Sequence, residues 1–129
     1  MLSIQKIDWS SFLVGRIVLG LYFFIFGFGK LFTYEDIHAL MVLKEVPLVA
    51  ITLPITIIIQ TVFGLLIIFG KHLRISGLVL FIVTILINYY IHNFWDLAGD
   101  MSQAHEMQNF IKNTAIAGGL LVLSTKENI

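Results

Sequence analysis

The chain has 129 residues, of which 58% are hydrophobic and 12% charged, with a mean hydropathy of +0.93. A soluble domain carries about 25% charged residues, and a chain this short has too little interior to hide such an apolar excess, so a soluble monomer and a disordered chain are both excluded. Eight basic residues balance eight acidic ones and cysteine is absent, which leaves no polybasic segment for nucleic acid and no means of building disulfides, iron–sulfur clusters or thiolate zinc sites.

About 20 mainly apolar residues cross roughly 30 Å of hydrocarbon. The first span is expected over 12–32, preceded by Asp8-Trp9-Ser10-Ser11, which offers N-cap chemistry and an interfacial aromatic. It is too long for a signal-peptide core, carries Arg16 and Lys30, and lacks a small-residue cleavage site. The second span is expected over 48–69, with Pro47 at its start and Pro54 inside it, where a kink is expected. Gly70-Lys71-His72 reads as a tight turn into a third span over 75–95. The fourth, over 104–124, has an apolar core from Phe110 to Ser124 and a polar lead-in from Ala104. That lead-in is expected to be a turn or two of helix buried among its neighbours. The expected fold is therefore all-α: one domain, 1–129, forming an integral membrane antiparallel four-helix bundle.

Loop charges predict its orientation. Lys71 and Arg74 mark the turn between spans two and three, whereas the two longer loops are acidic, with Glu35, Asp36 and Glu45 in one and Asp96, Asp100 and Glu106 in the other. Basic residues favour the cytoplasmic side, which places both termini in the cytoplasm of a bacterial cell. Trp9, Tyr34, Tyr89, Tyr90 and Trp95 fall near span ends, where an aromatic belt belongs.

Helical spacing gives each span one polar or small-residue face. These faces are Arg16, Gly20, Phe23, Gly27 and Lys30; Thr52, Thr56, Gln60 and Gly64; Gly77, Phe81, Thr84, Asn88 and His92; and His105, Asn109, Lys112, Ile116 and Gly119, flanked by Glu106 and Asn113. Small and polar residues of this kind bring membrane helices together. Thr and Gly on these stripes read as packing residues, and Arg16 reads as a structural cation able to snorkel to the cytoplasmic boundary. Ionisable groups inside a bilayer are costly and mark function or pairing. The outer half of the bundle is expected to gather Lys30, Asn88, His92, Asn93, Glu106, Asn109, Lys112 and Asn113, with Gln60 deeper; all but Asn93 form one candidate pocket. Such a cluster would accept an anion or the carbonyl oxygen of a quinone. Alternatively, Glu106 pairs with Lys112 and His92 donates to a backbone carbonyl.

Haem would need two facing ligands at membrane depth, and of His38, His72, His92 and His105 only His92 lies there. No metal-ligand cluster, phosphate loop or catalytic triad is legible. The chain has no intrinsic cofactor, and a quinone is the one it could borrow.

Several strings together resemble the DoxX family of small membrane proteins. They are Arg16-Ile17-Val18-Leu19-Gly20-Leu21-Tyr22-Phe23 with Gly27-Phe28-Gly29-Lys30-Leu31; Gly64-Leu65-Leu66 through Gly70 to Arg74; His92-Asn93-Phe94-Trp95; Gln108-Asn109-Phe110-Ile111-Lys112-Asn113; and Gly118-Gly119-Leu120-Leu121. The resemblance covers nearly the whole chain in order. It implies four spans and an association with membrane oxidoreductase or oxidative-stress complexes, the family name coming from a subunit of thiosulfate:quinone oxidoreductase. One departure stands out: Gln60 occupies a position where family members often carry an acid.

Three function classes follow. The first is a small subunit of an oxidoreductase or respiratory-type complex, not expected to be catalytic alone and at most part of a quinone-linked enzyme, in contact with lipid and with other subunits or further copies of itself. The others are a free-standing small-molecule carrier or channel, and a pure scaffold whose polar groups only pack helices.

Overall fold

The computed structural model describes residues 2–126; Met1 and the last three residues, which belong to the expected domain 1–129 and to its expected cytoplasmic termini, lie outside them. Five α-helices follow one another: α1 (Leu2–Gly29), α2 (Tyr34–Leu43), α3 (Val49–Phe69), α4 (Leu73–Tyr90) and α5 (Gln103–Ser124), with one 3-10 turn at Phe94–Asp96 before α5. No strand occurs among the described residues.

α1 runs ten residues further toward the N-terminus than the expected span. Its 28 residues reach about 42 Å at 1.5 Å per residue. Asp8, Ser10 and Ser11 therefore lie inside a helix and cap nothing, since no glycine or proline interrupts the chain before Gly15. The helix closes through short i to i−3 bonds, Leu31 N–H to the Phe28 carbonyl at 3.1 Å and Phe32 N–H to that of Gly29 at 3.0 Å.

The first loop is itself helical, which the sequence reading missed. Ile37, Leu40 and Met41 recur at helical spacing behind Glu35 and Asp36 in the first turn, where acids complement the helix dipole. α2 packs on α3 through a cluster of Val49, Leu53 and Ile57 with Tyr34, Ile37, Met41 and Val46. α3 continues unbroken through Pro54, whose ring nitrogen cannot bond the Ala50 carbonyl. It ends in a Schellman motif: Lys71 N–H reaches the Leu66 carbonyl at 2.8 Å and Gly70 N–H that of Ile67 at 3.1 Å, with Gly70 at φ +74°. The chain thus reverses within three residues into α4, as expected.

The four long helices alternate in direction. Gly20 lies against Gly64 and Ile68, and Gly27 against Gln60 and Thr61, so close that a Cβ on either glycine would fall within 2.8 Å of the opposing helix. That antiparallel α1–α3 contact is the most extensive between helices among the described residues. α4 and α5 meet likewise, Gly77 against the Leu120 carbonyl. Phe23, Ile67, Leu73, Leu80 and Leu120, all fully buried, join the two pairs in one core. The outer faces carry exposed Val14, Val18, Ile25, Ile58, Ile82 and Ile111. Apolar area of that extent is untenable in water and natural in lipid.

Three helical segments, Ser3–Gly29, Val49–Phe69 and Leu73–Asp96, are long and apolar enough to cross a membrane. The chain is an integral membrane protein. α5 has the length, at 22 residues, but its first half carries the polar lead-in. Its buried face is Asn113, Ala117, Leu120, Leu123 and Ser124, so the expected stripe through His105, Lys112 and Gly119 is displaced by about one residue and those three are exposed. The flanking positions, Glu106 and Asn113, point inward instead.

Candidate functional site

The polar faces of the long helices converge at the end of the bundle that α2 covers. There a cavity of about 820 Å³ opens between α1, α3, α4 and α5, roofed by Ile37, Leu40 and Met41 of α2. Ligand pockets span about 300–1,000 Å³ and combine apolar walls with a few convergent polar groups. Here the walls are Phe23, Phe26, Leu53, Ile59, Val83, Ile87 and Ile116, with Tyr22, Thr52, Thr56, Thr84 and Tyr90 between them.

Six of the eight expected site residues line this cavity: Lys30, Gln60, His92, Asn109, Lys112 and Asn113. Lys30, the residue after α1, donates through Nζ to Gln60 Oε1 at 2.8 Å and to the Phe26 carbonyl at 3.0 Å. Gln60 is buried on α3, so its amide anchors the ammonium from below. An ammonium has three donors, and these two bonds leave one for the cavity. Asn113 accepts a 3.1 Å hydrogen bond from the Tyr22 hydroxyl, which ties α5 to α1 across the cavity floor.

The remaining two expected residues act from outside the lining. Asn88 is buried and donates through Nδ2 to the Phe110 carbonyl at 3.1 Å and to Thr114 Oγ1 at 3.3 Å; it is an interhelical tie. Glu106 faces His92, with Oε2 2.9 Å from Nδ1, and its Oε1 accepts from Asn109 Nδ2 at 3.3 Å. Glu106 therefore does not pair with Lys112, and His92 does not use a backbone carbonyl. The reason is the rotation of α5, which turns Glu106 toward the end of α4 and leaves Lys112 at the rim. Among the described residues Lys112 has no ion pair, so its ammonium is available at the mouth. With Nδ1 on the carboxylate, Nε2 is the His92 nitrogen left for a ligand.

The rim is fastened by polar contacts that sequence reasoning did not find. Lys44, just after α2, donates to Asn93 Oδ1 at 2.9 Å, and Asn93 Nδ2 donates to Asp96 Oδ2 at 3.1 Å. Asp100 Oδ1 accepts from both the N–H and the hydroxyl of Ser102 at 2.8 Å, which starts α5 and holds the Asp100 carboxyl below the usual range. The Thr33-Tyr34-Glu35-Asp36 pattern ahead of Ile37 was the available signal for α2, because an acid three residues after a threonine commonly opens a helix.

At the opposite end lie Lys6, Arg16, Lys71, Arg74 and Lys126 with Asp8 as the one acid among the described residues. Arg16 donates to the Ile68 carbonyl at 3.4 Å, with its guanidinium packed against Gly70. Among the described residues no group of three metal-ligating side chains exists.

Comparison with known proteins adds a family. The sequence profile of the DoxX family matches residues 11–93. Inner membrane protein YphA of Escherichia coli K12 is 30% identical over 112 residues, covering 87% of this chain and 79% of that protein. Inner membrane protein YqjF of the same organism is 28% identical over 120 residues, covering 93% of this chain and 86% of that protein. No solved structure matches.

Proposed function

Because this chain belongs to the DoxX family, we propose that it is a four-span subunit of an oxidoreductase assembly in a bacterial inner membrane, and that its cavity holds the head group of a quinone. The observation that carries the reading is the chemistry of the cavity wall. An apolar enclosure of about 820 Å³ presents the ammonium groups of Lys30 and Lys112 and the imidazole of His92 from three sides. Those are donors for carbonyl oxygens in a setting otherwise suited to a ring and a hydrocarbon tail.

In this reading α5 is the fourth span; its polar first half is not buried among its neighbours as expected, since His105, Gln108 and Lys112 are exposed while Glu106 and Asn109 turn toward the end of α4. The cavity end faces outward. Among the described residues, Lys30, Lys44 and Lys112 lie there with six acids, whereas five basic residues and one acid occupy the other end, the bias expected of a cytoplasmic face. This chain binds and orients: Lys30, braced by Gln60, meets one carbonyl oxygen, and Lys112 or His92 the other. Lys30, Lys112 and His92 would hold a quinone, which would supply two-electron, two-proton redox chemistry there, with electrons from a redox centre on a partner subunit and protons from water at the cavity mouth.

Titration of the purified chain with decylubiquinone by calorimetry in neutral detergent tests the reading. One saturable site is expected, weakened about tenfold in Lys112→Gln, the loss of one hydrogen bond from a charged donor. Absence of saturable binding, or binding indifferent to Lys112→Gln and His92→Ala alike, would overturn it.

A further inference from the structure

A second opening lies at the basic end, away from the quinone cavity. It is a crevice of about 400 Å³ between α1 and α5, walled by Val18, Leu19, Val122 and Leu123. Two glycines make it: a Cβ on Gly15 or Gly119 would meet nothing within 4 Å. At its mouth stand two cations, Arg16 and Lys126, which approach the same Phe12 ring at 5.4 and 5.6 Å from its centroid. Among the described residues neither has a carboxylate within 4 Å. Among the described residues the buried Arg16 Nε has no hydrogen-bond partner, and the guanidinium's hydrogen bond to the Ile68 carbonyl is long at 3.4 Å.

Two like charges gathered on one ring repel each other, and a buried guanidinium donor without an acceptor is unfavourable. An anion at the mouth would relieve both. Below it, the slot between the two helices is apolar and faces the bilayer, where water has no partners and a hydrocarbon chain fits. We propose that this crevice binds one anionic phospholipid, its phosphate between Arg16 and Lys126 and one acyl chain lying over Gly15 and Gly119. The level is right for a head group: Trp9 and Lys71 lie exposed at the same end of the bundle, and basic pockets between helices at the cytoplasmic face select anionic lipids.

Native mass spectrometry of the full chain in neutral detergent, with equimolar phosphatidylglycerol and phosphatidylcholine of identical acyl chains, tests this. The wild type should retain phosphatidylglycerol at least about fivefold better. Lys126→Gln should lower that preference about fivefold, the effect of one charge near a head group. Gly119→Leu fills the slot and should reduce occupancy by both lipids. Both variants alter exposed positions, and their lipid-free melting temperatures should match the wild type, separating lost binding from lost fold. Equal retention of the two lipids by the wild type would overturn the proposal, as would a preference unchanged in both variants. Displacement of phosphatidylglycerol by millimolar inorganic phosphate would also overturn it, because it would reveal a free-anion site with no role for the acyl chain.

Discussion

The ammonium of Lys30 and the side-chain amide of Gln60 meet at 2.8 Å across the α1–α3 interface, directly beside the contact where Gly27 lets the two backbones touch. Close packing and the polar pair are one feature: only with a glycine at 27 does α1 come near enough for Lys30 to reach the buried amide. An acid at position 60 would turn this hydrogen bond into an ion pair; the amide holds the lysine without neutralising it, leaving the charge for a ligand.

Gln60→Leu should lower stability by about 1.5–3 kcal/mol, the range for losing the partner of a charged donor. Gln60→Glu should stay near wild type in thermal unfolding in detergent but bind decylubiquinone less well, because the glutamate would compete for the ammonium. Equal melting temperatures for Gln60→Leu and the wild type would show that the pair adds nothing to the fold.

Gly27→Ala should cost about 1–3 kcal/mol by overpacking, since the added Cβ would lie 2.6 Å from that of Gln60 and 2.8 Å from the Thr61 nitrogen. Gly118→Ala, which meets open space, should be neutral or slightly stabilising, as alanine is the better helix former. The two melting temperatures measured side by side decide the matter.

The His92–Glu106 contact joins the segment after α4 to the first turns of α5. His92→Ala should speed hydrogen exchange of the amides at 107–110 about fivefold, because a half-buried pair contributes on the order of 1 kcal/mol. Exchange at Leu120, in the core, should not change.

The absence of cysteine makes topology directly measurable. In intact cells an impermeant maleimide should label Ala98→Cys, and should reach Lys71→Cys and Thr125→Cys only after permeabilisation. Labelling of Thr125→Cys from outside would remove α5 from the set of spans; inverted labelling of all three would reverse the orientation.

Much of this molecule was legible in its sequence because the relevant signals are local. Long apolar runs specify membrane helices, and steps of three and four residues place Gly20, Phe23 and Gly27, or Gln60 and Gly64, on one buried face whatever lies opposite. The tight turn at Gly70 was likewise encoded in three residues. Six of the eight polar residues expected in the candidate pocket do line one cavity. The failures have a common cause. α5 alternates polar and apolar residues too evenly for periodicity to set its rotation, and a shift of one residue turns a helix by about 100°. Which side of α5 faces α4 depends on Gly77 admitting Leu120 and on Asn88 capturing the Phe110 carbonyl. α2 carries one short local signal, the acid three residues after Thr33, and its stability comes from the Val49–Leu53–Ile57 ridge beneath it.

Composition and helical period are enough to specify an apolar, helical, membrane-embedded chain with cationic and small-residue stripes, because they act without reference to neighbours. Tertiary contacts alone established that Lys30 is held by Gln60 and that Glu106 takes His92, leaving Lys112 without an ion pair among the described residues. Those outcomes depend on helix rotation and contact between distant segments, and no local pattern carries that information.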